Sequence, residues 1–204
     1  MANISDALGS LDSKQSYFDP KEKEGPRERL WEGYYHGHIT EMRVSRGITI
    51  KGKYSADIYN FTVEVHDHNK ETTLKNKDGE EKSGADFVGR EIKSNGVFNF
   101  LVPENGEFES NTGGNESFFK FCQAIGMKIP TKTIKSGDEE REVHMLPSEL
   151  TESDCIGKPV YCYVGKTKPF TNAEGESITP MKVKLFTKWE GGETLSLLED
   201  DVPF

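Results

Sequence analysis

This chain of 204 residues has few cysteines, no long apolar run and no glycine-rich nucleotide signature. Cys122, Cys155 and Cys162 are irregularly spaced, so they imply no paired disulfide framework and point to a reducing cytoplasm. Cys162 alternates with Val160 and Val164 and reads as a small buried hydrophobe. No stretch approaches the length of a membrane span, and nothing at the N-terminus has the pattern of a signal peptide. A Gly-x-Ser-x-Gly elbow and a phosphate-binding glycine loop are both missing; Gly113-Gly114 reads as a loop before a helix. No catalytic residue and no cofactor are therefore expected. Hydrophobic residues make up 33% of the chain, enough for a modest core, so one domain with appendages fits the length.

What is plentiful is charge, unevenly placed. The net charge is −9, yet from Lys158 to Lys188 six lysines face only Glu174 and Glu176. Arg43, Arg46, Lys51 and Lys53 form a second basic segment with no acid in it. The acids collect at Asp138–Glu142, Glu104–Glu116 and the C-terminal end. Local balance decides which polyanions a surface attracts, so an acidic chain can still carry a basic groove.

Residues 1–28 are polar and broken by Gly9, Pro20, Gly25 and Pro26, which reads as a flexible arm with at most a short helix around Ile4–Leu11. Strand patterns follow: Trp31–Val44, a turn around Gly47 and another near Gly52, then Tyr54–Val65 with alternating apolar positions. Residues 67–86 read as a mobile polar loop, and Glu91–Val102 as a third strand with a bend at Gly96. Phe118, Phe119, Phe121, Cys122 and Ile125 give a helical stripe, capped by Asn115 and stopped at Gly126. An acidic excursion at 135–142 and a helical turn near Ser148–Asp154 precede strands at Lys158–Lys166 and Met181–Trp189. Three strands, a helix and two strands is the element order of a five-stranded OB-fold-like Greek-key barrel, mainly β. The expected organisation is an arm at 1–28, the barrel at 29–190 and an acidic interaction tail at 191–204.

The last strand carries the functional expectation. Met181, Val183, Leu185 and Trp189 share one parity and would face the interior. Lys182, Lys184, Phe186 and Lys188 share the other, alternating positive charge with a ring. Single-stranded nucleic acid asks for that combination, with ammonium groups on phosphates and aromatic faces on bases. Lys166, Lys168 and Phe170 lie in the loop before this strand, and Arg46, Lys51 and Lys53 in the loop between the first two. In OB-folds those two loops frame the binding groove. Tyr54, Tyr161 and Tyr163 are further stacking candidates, whereas Phe61, Phe98 and Phe100 read as core.

The chain closes on Leu-Leu-Glu-Asp-Asp-Val-Pro-Phe. Glu199, Asp200 and Asp201 supply charge, Val202 and Pro203 an apolar, stiffened approach, and Phe204 a ring beside a terminal carboxylate. Such a peptide can fill an apolar pocket while basic side chains grip its carboxylates. It resembles the acidic C-terminal tip of bacterial and phage single-stranded DNA-binding proteins. Gly33-Tyr34-Tyr35, Lys51-Gly52-Lys53-Tyr54, Phe87-Val88-Gly89-Arg90, Phe119–Gly126 and Ile156-Gly157-Lys158-Pro159-Val160 also resemble small phage proteins of replication and recombination. The resemblance implies protection of single strands without strong sequence preference. It also implies recruitment of polymerase, helicase or recombinase through the tip, and leaves homo-oligomer formation open. One departure is the short tether: little more than Glu190–Ser196 separates the last strand from the tip, where bacterial members carry a long Gly- and Gln-rich linker.

Two other functions fit parts of the sequence. His36-x-His38 and His66-x-His68 place histidine pairs at a spacing that could grip zinc in a metal-dependent enzyme, although exposed or capping histidines explain them better. A protein-interaction module, with the β-domain as passive carrier of the tip, is the other alternative.

Overall fold

A computed structural model describes residues 30–52, 54–75, 79–101, 114–136, 139–173 and 175–195. Lys53, the arm at 1–28 with its expected helix, and the tip residues Glu199 to Phe204 lie outside the described residues.

The chain is mainly β. Strand β1 (Gly33–Ile50) pairs antiparallel with β2 (Tyr54–Val65). Two short strands, β3 (Thr73–Lys75) and β4 (Glu81–Ser83), form a small hairpin. Strands β5 (Glu91–Lys93) and β6 (Val97–Phe100) both pair with β2. Helix α1 (Glu116–Ala124) comes next, then the hairpin β7 (Thr131–Ser136) and β8 (Glu139–His144), and the turn-length α2 (Glu152–Cys155). Strand β9 (Pro159–Lys166), the two-residue β10 (Phe170–Thr171) and β11 (Ser177–Ile178), and β12 (Met181–Lys188) complete the order.

The main sheet has six antiparallel strands in the order β12-β9-β1-β2-β5, with β6 also on β2. This corrects the five-strand expectation. The expected third strand is broken at Asn95-Gly96, where Gly96 has φ of 81° and Ser94–Gly96 insert one extra residue against β2. Ser94 holds the break in place: its N–H donates to Phe61 O at 2.8 Å, and its Oγ accepts from Phe61 N at 2.9 Å. The hydrogen-bonded path is open, so a closed barrel is not what the ladder gives. Its two ends touch at one parallel bridge, Ser94 to Val183, where Asn95 N donates to Val183 O at 2.9 Å.

The expected turn at Gly47 is instead a bulge inside the long β1. Gly47 takes φ of 61°, Arg46 and Gly47 together oppose Asp57, and the strand runs on to Ile50. The buried Asp57 carboxylate accepts from Gly47 N at 2.8 Å and from Arg46 Nη1 at 3.3 Å. Residues 67–86, expected as loop, contain β3, β4 and most of two short 3-10 segments, and Asn69 in the first ties the region to β1. The Asn69 side chain donates to the His36 and His66 carbonyls and accepts from His36 N.

The core lies between one face of the sheet and α1. Phe121 stacks on Phe61 with centroids 4.2 Å apart, Phe118 on Tyr59 at 5.6 Å, and Phe186 meets Phe121 edge-on at 5.0 Å. These rings bury large apolar area and fix the helix against the sheet. The helix entry is set differently from the sequence expectation. Asn115 makes no side-chain cap; its amide pairs with the backbone of Phe100, accepting from N at 2.7 Å and donating to O at 3.3 Å. Asn115 therefore ties the start of α1 to the end of β6.

Candidate nucleic-acid interface

A β-bulge in β12 decides which side chains reach the surface. Val183 pairs with Val164 and Leu185 with Tyr163, leaving Lys184 unopposed. The extra residue flips the parity: Val183 and Phe186 point inward, Leu185 and Thr187 outward. Phe186 is therefore 6% exposed, packed on Phe61 and Phe121, and is not a stacking ring. Leu185 and Trp189, expected inside, are outside the core. A single inserted residue is invisible to strict alternation, which is why the expectation failed here.

The lysines do converge. Lys166, Lys168 and Lys184 line one open cleft of about 610 Å³ with Thr167 and Asn95. The Lys184 stem crosses over Gly165, where a Cβ would come within 3.2 Å of both Lys184 Cδ and Tyr163 Cε1. Lys182 sits beside them, opposite Gly165 in the ladder. Among the described residues, no carboxylate pairs with Lys166, Lys168, Lys182 or Lys184, so their charge is available to a polyanion.

Asn95 links this cleft to a ring platform, although the sequence pattern puts those rings in the core. A Cβ on Gly96 would lie 3.7 Å from the Phe98 ring, so the two meet at the break between β5 and β6. Phe98 stacks on Phe100 with centroids 6.1 Å apart and planes 20° apart, and Tyr54 meets Phe100 edge-on at 6.3 Å. All three rings are half-buried on the outer face, while Val97 and Asn99 of β6 turn inward. The available signal was the polar Asn99 between two phenylalanines: it is buried and donates to Ser148 O at 3.2 Å, so its neighbours must face out.

A second group of rings begins at Tyr163, beside the Lys184 stem. Tyr161 and Tyr163 project outward from β9 and pack on Tyr34 of β1, each with centroids 5.1 Å from it. Tyr34 was not singled out from the sequence and is 44% exposed. The Tyr163 hydroxyl donates to Glu32 Oε1 at 2.7 Å, which raises its pKa. Phe170 is exposed on β10.

The remaining candidates are less available. Arg46 is held by Asp57 and by Glu149 at 3.1 Å, Arg43 lies 3.5 Å from Glu41, and Lys188 pairs with Glu190 at 2.9 Å. Lys51 is exposed at the β1–β2 turn with φ of 52°.

The histidines assemble around one indole. The Trp189 ring lies 4.9 Å from His36, 5.5 Å from His38, 5.0 Å from His66 and 5.6 Å from His68, centroid to centroid. Burial lowers the pKa of His36 and of His38, and neighbouring imidazoles add to it. His38 Nε2 lies 2.9 Å from Glu193 O, and Leu195 N donates to Gly157 O at 3.0 Å, so the segment after β12 is seated here. Among the described residues, no group of three or more His, Cys, Asp or Glu is arranged to hold a metal ion. Burial pushes the three thiols up to about 12, too protonated to act as nucleophiles near neutral pH.

No protein-family model matches the chain, and no curated protein matches it. No helix among the described residues is long and apolar enough to cross a membrane.

Proposed function

We propose that the protein binds single-stranded DNA, without strong sequence preference, along the path from the lysine cleft to the Phe98–Phe100–Tyr54 platform. One observation carries the reading: Asn95 lines the cleft while its neighbour Gly96 abuts Phe98, so cations and stacked rings form one continuous surface. Lysines would track the phosphates and the rings would take bases on their faces. Duplex DNA hides its base faces, which this platform needs.

The parallel contact of Ser94 with Val183 supports treating the sheet as an OB-like barrel that closes there, with Lys166, Thr167 and Lys168 on the rim of the groove. On this reading the acidic Glu199–Phe204 peptide recruits replication or recombination proteins, as in phage single-stranded DNA-binding proteins, and the protein acts as a binder rather than an enzyme in the cytoplasm. Fluorescence anisotropy of labelled oligo(dT) against added salt tests the reading. The affinity should fall with a log–log slope of about −0.7 per neutralised phosphate. Equal binding of a duplex of the same length, or none at low salt, would sink it.

A further inference from the structure

The β7–β8 hairpin projects from the rest of the fold, touching it at its base, where the His144 ring lies 4.6 Å from that of Phe119. Its six residue pairs run from Thr131–His144 to Ser136–Glu139, and neither strand joins the six-stranded sheet. Nearly every described side chain in it is exposed; only Ile134 and Val143 are half-buried. An isolated two-stranded ribbon is marginal in water, and each of its edges offers unpaired N–H and C=O groups to another strand. The two edges differ in charge. Strand β7 carries Lys132 and Lys135 and no acid; β8 carries Glu140 and Glu142 beside the Glu139–Arg141 pair, whose charges offset each other. Within the hairpin the same complementarity is visible as Lys135 Nζ to Glu140 Oε1 at 3.3 Å.

We propose that this hairpin joins successive copies of the protein by strand addition, β7 of one copy against β8 of the next. Pairing β7 with β7 would set lysine beside lysine, and β8 with β8 would set acid beside acid. Charge therefore selects the head-to-tail contact, which leaves a free edge at each end for a further copy, so copies laid along an extended strand can form a row. The inference rests on the DNA-binding reading: copies bound along one strand are held at high local concentration, so a weak strand-to-strand contact becomes cooperative binding.

The full chain would be titrated with oligo(dT) short enough for one copy and with long poly(dT). The wild type should bind the short ligand hyperbolically and the long one sigmoidally. Met145 N donates to Pro130 O at 2.8 Å and Thr131 pairs with His144, so the hairpin base is already closed and residues 132–143 can be replaced by two glycines while His144 stays on Phe119. That variant should keep its short-ligand affinity and bind poly(dT) about tenfold more weakly, without sigmoidicity. The pair Glu140→Lys and Glu142→Lys should lose cooperativity too. Adding Lys132→Glu and Lys135→Glu to it should restore cooperativity, because both edges are then reversed together. Normal short-ligand binding with hyperbolic poly(dT) binding by the wild type, or undiminished sigmoidicity after excision, overturns the hairpin proposal. Failure to bind the short ligand at all instead overturns the DNA-binding reading, and this proposal falls with it.

Discussion

Phe98 and Phe100 stack on each other on the outer face of β6, although their sequence context reads as core. Replacing either ring by alanine should cost about 1–3 kcal/mol of oligonucleotide binding while destabilising the fold less than loss of a fully buried ring does. Phe186→Ala should do the opposite. It should destabilise the fold by about 3–5 kcal/mol, because its ring packs on Phe61 and Phe121. Paired thermal unfolding and anisotropy titrations separate the two effects.

Lys166, Lys168 and Lys184 should act through charge. Replacing all three by alanine should weaken binding at low salt and make the salt slope shallower by about 0.7 for each phosphate that is no longer neutralised. Lys188→Ala, whose partner is Glu190, should change the slope little. A triple variant with an unchanged slope would separate the cleft from the DNA.

The histidine ring around Trp189 makes stability depend on pH. The pKa values of His36 and His38 are lowered in the folded state, so the folded protein binds fewer protons than the unfolded chain as pH drops through 6.5. Stability should therefore be fully present above that value and decline below it, toward the lowered folded-state pKa. The same titration should alter Trp189 emission, since imidazolium beside an indole quenches it. Urea unfolding followed by tryptophan fluorescence from about pH 5 to about pH 8, the range in which histidine changes charge, measures both.

Asp57 pins the bulge that aims the β1–β2 loop. Asp57→Ala would leave Gly47 N without its acceptor and Arg46 with Glu149 alone, and should destabilise the protein by about 1–3 kcal/mol. Asp57→Asn keeps an acceptor for Gly47 N and should cost less. Chemical denaturation midpoints give the comparison.

Removing residues 196–204 should leave oligo(dT) affinity unchanged or tighten it, since the acidic peptide can only compete for a basic groove. Clear weakening would contradict a role for the tip outside the DNA contact.

The order of the main elements was legible because alternation in Tyr54–Val65 and the stripe Phe118–Phe121–Cys122 are strong periodic signals. The misplaced rings sit at bulges. One extra residue at Lys184 turned Phe186 inward, and another at Ser94–Gly96 turned Phe98 and Phe100 outward, so the stacking rings were exchanged. The lysines survived the exchange because long stems reach the surface from either side of a bulge, and three of those named meet in one cleft. The assembly of His36, His38, His66 and His68 around Trp189 joins segments far apart in the chain, and no local spacing announces it.

The most direct test is photocrosslinking of oligo(dT) to the full chain, with adducts mapped by mass spectrometry. Binding along the proposed path predicts adducts at Phe98, Phe100 and Tyr54, suppressed when Lys166, Lys168 and Lys184 are replaced. Adducts confined to other surfaces, with these rings unmarked, would contradict it.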